Sequence, residues 1–166
     1  SGKSTLAREA EKSLFFRGYS TYILDGDNLR TGINKDLGFS KEERRENIRR
    51  TAEIAAMMSS AGFIVIVSLI SPYDSDRKKA KSIKPEIFRE VYIKASVKEC
   101  ERRDVKGYYL KAKNGLIKNF TGITAPYEEP DKPNLIIDTE KLSLEKSTKK
   151  LTNFIEKEFS NTKTIC

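Results

Sequence analysis

The chain of 166 residues has the length of one domain, and its 37% hydrophobic and 34% charged residues are typical of a polar globular protein. Its longest apolar stretch, residues 63–70, is too short to cross a bilayer, so we expect no membrane partner. The net charge of +8 favours anionic partners, such as phosphorylated small molecules, nucleotides or nucleic acid. Histidine is absent, which excludes histidine bases, histidine triads and histidine metal ligands.

Helix and strand patterns alternate in the first half of the chain. Apolar residues recur at helical spacing over residues 4–17, and Gly18 ends this first predicted helix. A short apolar strand follows within residues 19–25. Ser40 and Glu43 then form the sequence pattern of a capping box, which predicts that a long helix begins there.

The alternation continues in the second half. The long helix is predicted to end near Ala61, and residues 63–70 are typical of a strand that is buried on both faces. Further predicted elements are a helix from residue 74, a strand within 88–95, a helix near 97–103, a strand at 135–138 and a helix over 143–159. This order predicts an α/β fold of three layers, with a mostly parallel central sheet flanked by helices.

One segment differs from the rest in composition. Residues 105–127 contain no acidic residue, but they carry three glycines and lysines at 106, 111, 113 and 118. We expect a mobile lid with a short helix inside, which closes over a polyanionic nucleotide; a nucleic-acid surface is the competing interpretation. Residues 160–166 are expected to fray, and residues 1–166 as a whole are predicted to form a single domain.

The opening residues Ser1-Gly2-Lys3-Ser4-Thr5 match the end of the phosphate-binding P-loop, G-x-x-x-x-G-K-[ST], and a helix follows as the motif requires. In this interpretation, backbone N–H groups cradle phosphates, Lys3 reaches the β- and γ-phosphates, and the Ser4 hydroxyl ligates Mg²⁺. A chance match is the alternative for so short a segment. If the motif is genuine, we expect a strand and at least one glycine before Ser1.

Two carboxylates follow the first predicted strand. Asp25 and Asp27 lie where ligands gather in open α/β sheets, and Arg30 comes shortly after them. One carboxylate suits Mg²⁺ or its waters, while the other suits acceptance of a hydroxyl proton in phosphoryl transfer. Asp-Gly-Asp-Asn is also good turn composition, so a simple turn is the alternative.

Arg44 and Asn47 lie three residues apart, and therefore on one face of the long helix. Together they suit an anion and a polar edge, because the arginine fork matches phosphate or sulfate oxygens. A solvated basic helix face is the alternative.

Eight segments together resemble the adenylylsulfate kinase (APS kinase) family. They occur in the family's order, extend to about residue 139, and read SGKST, LDGDNLR, GINKDLGFS, RRENIRR, ISPYDSDR, CERRDVKGYY, IKNFTGI and PYEEP. GINKDLGFS and KNFTGI are far more specific than a P-loop. The resemblance implies a P-loop NTPase-type fold and ATP-dependent phosphorylation of the 3′-hydroxyl of adenosine 5′-phosphosulfate (APS), which gives 3′-phosphoadenylyl sulfate and ADP.

The resemblance also implies roles for individual residues. Those implied to bind ATP phosphates and Mg²⁺ are Gly2, Lys3, Ser4 and Thr5, with Asp25 near the metal. Those implied to bind APS are Asp27, Asn28, Arg30, Phe39, Arg44, Asn47, Ile70, Ser71, Lys106, Asn119 and Phe120. Lys3, Asp27 and Ser71 are the predicted catalytic residues, with Asp27 as base or orienter of the 3′-hydroxyl. The two phenylalanines suit stacking on adenine, and the arginines suit the phosphosulfate.

Ser71 matches a position that the family describes as a phosphoserine intermediate. A serine nucleophile needs an adjacent base, and none is evident in Ile70-Ser71-Pro72. Direct in-line transfer needs only positioning and charge neutralisation. We therefore interpret Ser71 as a substrate contact at a strand end.

Two other functions stay open from the residues alone. One is a different small-molecule P-loop kinase that acts on a sugar or a shikimate-like hydroxyl, and the other is a non-catalytic nucleotide- or RNA-binding module. With the family resemblance we expect ATP and APS as partners rather than nucleic acid. The resemblance also implies a homodimer and allows fusion to, or association with, a sulfate adenylyltransferase. The two cysteines, Cys100 and Cys166, favour a reducing compartment, and we expect the cytoplasm.

Overall fold

The computed structural model describes residues 1–104, 107–117 and 119–159. Within these ranges helices alternate with parallel strands, so the predicted α/β class is confirmed. The helices are α1 (Lys3–Phe15), α2 (Gly26–Thr31), α3 (Lys41–Ser60), α4 (Asp74–Ile83), α5 (Val97–Arg102), α6 (Tyr108–Lys113) and α7 (Leu144–Glu158). The strands are β1 (Thr21–Asp25), β2 (Ile64–Ser68), β3 (Val91–Lys94) and β4 (Leu135–Asp138).

The described strands form two parallel pairs. In the first pair, β1 lies beside β2 with Asp25 opposite Ser68 at the carboxyl end. In the second pair, β3 lies beside β4, and Lys94 is opposite Asp138. Because parallel strands end at the same edge, the polar residues that end β1 and β2 come together there. That edge carries one half of the candidate site.

The largest core cluster lies between α1, α7 and the strands. Leu6, Ala10 and Leu14 recur every four residues on one face of α1, and all three are buried against Ile64 and Ile137 of the strands. Leu151 and Ile155 of α7 complete this cluster. Full burial of each large apolar side chain contributes about 1.5–3 kcal/mol. This packing holds the start of α1 against the carboxyl ends of the strands.

The helix signals in the sequence are confirmed in atomic detail. The Ser40 hydroxyl accepts a hydrogen bond from the Glu43 N–H, and the Glu43 carboxylate accepts one from the Ser40 N–H, so the capping box of α3 is complete. Gly18 and Gly62, which follow α1 and α3, have φ values of 82° and 94°. Glycine adopts this left-handed backbone without steric cost, and α1 and α3 end at Phe15 and Ser60, within about two residues of the predicted ends.

Two local features differ from the predictions. First, β2 is shorter than residues 63–70 and only partly buried, with Val67 42% exposed. Ile64 and Ser68 are buried, whereas Val65 and Ile66 are half-buried, so the strand as a whole is not fully buried. Second, the Asp-Gly-Asp-Asn segment is not a simple turn, because Gly26 begins the six-residue helix α2. No helix in the described ranges is both long and apolar enough to cross a membrane.

Candidate active site

The phosphate-binding half of the site is built at the start of α1. Gly2 caps this helix with φ of 83°, and its carbonyl oxygen accepts the first helical hydrogen bond, from the Leu6 N–H at 3.0 Å. The N–H groups of the first turn have no partner within the helix, and the helix dipole adds positive potential there. The start of α1 is therefore suited to an anion such as a phosphate group.

Ser4 lies in the first turn of α1 and is tied to the ends of β1 and β2. Its hydroxyl donates a 2.6 Å hydrogen bond to Oδ2 of Asp25, and it lies 3.4 Å from the hydroxyl of Ser68. Asp25 and Ser68 are both buried. One carboxylate and two hydroxyls thus meet beside the helix N-terminus, and hard oxygen donors of this kind suit Mg²⁺.

Lys3 is partly buried beside these groups. Its ammonium lies 3.4 Å from the Ser1 hydroxyl, a long contact. Burial lowers the pKa of Lys3, while the nearby charges of Asp25 and Asp27 act in the opposite direction. An anion bound at the start of α1 would stabilise the charged ammonium. Thr5 is exposed on the same turn.

Helix α2 carries Asp27 in its first turn and Arg30 in its last turn. Oδ1 of Asp25 caps the helix by accepting a 3.0 Å hydrogen bond from the Asp27 N–H. The side chains of Asp27 and Asn28 are exposed on the first turn. Burial lowers the pKa values of Lys3 and Arg30, and the charge of Asp27 opposes this effect at both residues. Asp27 therefore lies on the short helix that connects Asp25, which is bonded to Ser4, with Arg30.

Arg30, in the last turn of α2, and Phe39, just before α3, form a second cluster. Arg30 donates from Nη1 to the carbonyl oxygens of Leu37 and Gly38, at 2.8 and 2.6 Å. Its guanidinium lies 4.3 Å from the centre of the Phe39 ring, an arrangement that holds the ring by a cation–π contact. The ring is 54% exposed, so it offers a stacking surface for a planar ligand.

Arg44 joins this cluster to a distant part of the chain. It is buried on α3, donates from Nε to the Phe39 carbonyl at 3.0 Å, and donates from Nη2 to the Asn119 carbonyl at 2.6 Å. Burial lowers the pKa of Arg44, and repulsion from Arg30 lowers it further. A phosphosulfate near both guanidinium groups would relieve this repulsion. The solvated-face alternative therefore does not describe Arg44.

Asn47 is also buried, and its amide is oriented by a second asparagine. Its Oδ1 accepts a 3.0 Å hydrogen bond from Nδ2 of Asn34, which is fully buried in the connection before α3. With the oxygen of Asn47 occupied in this way, the amide nitrogen remains the group that can donate to another partner.

The remaining predicted residues lie on the segments after β2 and after α6. Ile70 is exposed, whereas Ser71 is half-buried. The Phe120 ring contacts the Tyr109 ring edge-on, with 4.9 Å between the ring centres. The Phe120 N–H donates to the Thr124 hydroxyl at 2.8 Å. Lys106 lies outside the described residues.

Comparisons with known proteins identify the family of the chain. The family model described as adenylylsulphate kinase matches residues 1–138. An adenylyl-sulfate kinase of Geotalea uraniireducens is 51% identical over 158 residues, which cover 95% of this chain and 76% of that relative. The chain belongs to the adenylylsulfate kinase family. It is therefore a kinase of the P-loop fold class, as the sequence motifs predict.

Solved structures extend the similarity of this kinase to three dimensions. The APS kinase of Mycobacterium tuberculosis, solved in complex with AMPPNP and APS, superposes with a TM-score of 0.88 at 39% identity, covering 93% of this chain and 91% of that one. A hexameric APS kinase from Thiobacillus denitrificans gives a TM-score of 0.70 at 28% identity, covering 95% of this chain and 27% of that one.

Three residues of the kinase's candidate site were not identified from the sequence. Ser68 ends β2 beside Asp25, and a polar residue at the end of an apolar strand could have indicated it. Asn34 lies within GINKDLGFS, but only its burial distinguishes it from a loop asparagine. Arg77 lies within ISPYDSDR and donates to the Ser71 carbonyl, a contact that no local pattern indicates.

Proposed function

We propose that this kinase transfers the γ-phosphoryl group of ATP to the 3′-hydroxyl of APS, giving 3′-phosphoadenylyl sulfate and ADP. The observation that carries the proposal is the position of Asp27 on α2. This helix is capped by Asp25, which is bonded to Ser4 at the phosphate end, and it carries Arg30 of the arginine–aromatic cluster. A carboxylate between a donor site and an acceptor site suits proton acceptance from the acceptor hydroxyl.

On the ATP side, Gly2, Lys3, Ser4 and Thr5 bind the phosphates. The N–H groups at the start of α1 and the Lys3 ammonium neutralise the charge that develops on the transferred group. The oxygen atoms of Ser4 and Asp25 would hold Mg²⁺, which supplies charge neutralisation and orientation of the phosphates when it is bound. The 2.6 Å hydrogen bond between these two residues keeps the Ser4 hydroxyl and the Asp25 carboxylate next to each other.

On the APS side, the rings of Phe39 and Phe120 stack on the adenine, while Arg30 and Arg44 bind the phosphosulfate. This division follows residue chemistry, since aromatic faces suit a base and guanidinium forks suit phosphate and sulfate oxygens. The remaining substrate contacts in the proposal are Asn28, Asn47, Ile70, Ser71, Lys106 and Asn119. The mycobacterial relative in complex with AMPPNP and APS supports a site for both nucleotides in this fold.

Ser71 contacts APS in this proposal and is not phosphorylated. Its carbonyl oxygen accepts a hydrogen bond from Arg77, and an arginine cannot act as the base that a serine nucleophile needs. Direct in-line transfer between the two nucleotides needs only the positioning groups named above.

A homodimer in the cytoplasm is the proposed state of the protein. Several large apolar side chains are exposed on the described surface, among them Phe15, Phe16 and Met57, and such side chains suit an interface. The hexameric relative from Thiobacillus denitrificans supports self-association in this family. Association with a sulfate adenylyltransferase stays a prediction. Sedimentation of the full-length protein at several concentrations tests the homodimer, and a monomer at all of them would contradict it.

A coupled assay of ADP release tests the proposed reaction. The full-length protein is supplied with ATP and Mg²⁺, and either APS, gluconate or shikimate is added. We expect ADP release that depends on APS and is absent with the other two acceptors. Turnover with a sugar acid or shikimate, and none with APS, would favour another small-molecule kinase. Salt-dependent binding of RNA without any turnover would favour the non-catalytic alternative.

A further inference from the structure

Two non-glycine residues within the described ranges have a left-handed backbone, and both were assigned to substrate binding from the sequence. Ser71 has φ of 45°, and Asn119 has φ of 56°. A residue with a Cβ adopts this conformation at an energetic cost, so it persists only where the surroundings hold it. The structure shows which groups hold these two.

A buried arginine donates to the carbonyl oxygen of each residue. Arg44 donates from Nη2 to Asn119 at 2.6 Å, and Arg77 donates from Nη1 to Ser71 at 2.8 Å. Arg77 lies on α4 and is 7% exposed. Arg44 is itself a proposed substrate contact. Arg77 has no such assignment, and its hydrogen bond reaches the site only through Ser71.

The guanidinium of Arg77 forms ion pairs with Glu90, just before β3, and with Asp74 of its own helix. Its Nε lies 2.7 Å from a carboxylate oxygen of Glu90, and its Nη2 lies 3.5 Å from Asp74. Glu90 precedes β3, where its N–H donates to Oδ1 of Asn134 and its carbonyl accepts from the Asn134 N–H, both at 2.8 Å. The position of Ser71 is thus connected to the start of β3 and β4.

Two hydrogen bonds with Glu128 hold the residues after Ser71. The Glu128 N–H donates to the Pro72 carbonyl at 2.8 Å, and Oε2 of Glu128 accepts from the Asp74 N–H at 2.7 Å. These two bonds fix the backbone on either side of residue 73. Ser71 therefore lies between a fixed segment and a fixed guanidinium, which leaves its left-handed conformation little room to relax.

We propose that Arg77 is a positioning residue of this kinase, which holds Ser71 in its left-handed conformation so that the Ser71 hydroxyl meets APS. The inference rests on the proposed function, in which Ser71 contacts APS. Arg77 touches neither nucleotide and acts only through Ser71. Lysine at position 77 would keep the positive charge. It lacks the guanidinium fork, with which one side chain can donate to the Ser71 carbonyl and lie beside Glu90 at the same time.

A double-mutant cycle on the full-length protein tests this inference. We expect Arg77→Lys to raise KM for APS by about tenfold and to leave KM for ATP unchanged, because a displaced contact weakens only its own substrate. In the Ser71→Ala background, which has no hydroxyl to position, the same Arg77→Lys change is expected to add less than about twofold. Equal effects in both backgrounds, or equal rises in both KM values, would overturn the inference.

Two further variants separate this role from general stability. Arg45→Lys is the matched control, since Arg45 also pairs with an α4 carboxylate, Asp76, but makes no contact with Ser71. Arg45→Lys is expected to leave KM for APS unchanged, even if it lowers Tm. If Arg77→Lys does not fold, Glu90→Gln replaces it in the double-mutant cycle. A rise in KM for APS that Glu90→Gln also causes in the Ser71→Ala background would overturn the inference. Failure of the wild-type protein to use APS would instead contradict the proposed function.

Discussion

Arg44 donates a 2.6 Å hydrogen bond to the carbonyl oxygen of Asn119, a residue 75 positions further along the chain. The same guanidinium donates to the Phe39 carbonyl at 3.0 Å. One buried side chain of α3 therefore holds together the start of its own helix and the segment that follows α6. Both segments carry residues assigned to APS binding, so Arg44 organises the acceptor half of the site as well as supplying charge to it.

Replacing Arg44 by lysine tests this organising role. Lysine keeps the charge but cannot donate in two fixed directions, so the contacts with Phe39 and Asn119 cannot both survive. We expect KM for APS to rise by at least about tenfold, while KM for ATP stays within about twofold. Steady-state kinetics with each nucleotide varied in turn measure both constants. Arg49→Lys, an exposed change on the same helix, is the control and should alter neither constant.

Asp27→Asn tests the proposed proton acceptor. The amide is nearly isosteric but cannot accept the proton of the 3′-hydroxyl, so we expect kcat to fall by about 10²- to 10⁴-fold. The side chain is exposed, so the thermal unfolding of the variant should match that of the wild type. Asp36→Asn, which removes a surface carboxylate paired with Arg50, is the control. Full activity in a folded Asp27→Asn protein would show that the role assigned to Asp27 is wrong.

Phe39→Leu tests the stacking surface. The ring is 54% exposed and lies against Arg30, so its removal should change the free energy of unfolding by less than about 0.5 kcal/mol. The loss of base stacking should raise KM for APS by about tenfold. Phe16→Leu, at the opposite end of α1 from Gly2, provides a control at another exposed phenylalanine. Unchanged KM for APS in Phe39→Leu would place the adenine elsewhere.

Several features of the fold could be predicted from the sequence because their causes are local. The capping box of α3 needs only Ser40 and Glu43, and the glycines at 18 and 62 end their helices by their own backbone conformation. The short helix α2 was not foreseen, since Asp-Gly-Asp-Asn favours a turn. Its first turn is capped by Asp25, but Arg30 stabilises it by bonding the carbonyls of residues 37 and 38, outside the helix.

The contacts that were missed join residues far apart in the chain. Arg77 lies in a charged helical segment, where an arginine is expected to face solvent. Nothing near it in sequence indicates that it is buried against Glu90 and bonded to Ser71. Asn34 and Asn47 meet only because the connection before α3 folds back on that helix. The partial burial of β2 likewise depends on the elements packed around it, which the apolar sequence of β2 does not specify.

The capping box also predicts a pH dependence of stability. Hydrogen bonds from the N–H groups of Gly38 and Ser40 lower the pKa of Glu43 below its ordinary value of 4.5. A lowered carboxyl pKa stabilises the folded state fully above pH 4.5, and this contribution is lost as the pH falls through the lowered pKa. We therefore expect Glu43→Gln to lower Tm at pH 7 and the difference from wild type to shrink in acid. Glu42→Gln, in the same helical turn, is the control, and a Tm difference independent of pH would contradict the assignment.

Identification of the phosphorylated product tests directly whether the γ-phosphoryl group of ATP is transferred to the 3′-hydroxyl of APS. The full-length protein is incubated with γ-labelled ATP, Mg²⁺ and APS, and the labelled nucleotide is examined by phosphorus NMR and mass spectrometry. We expect one product, 3′-phosphoadenylyl sulfate, formed in a one-to-one ratio with ADP. Label on another position of APS, label retained on the protein at Ser71, or ADP release that does not depend on APS would contradict it.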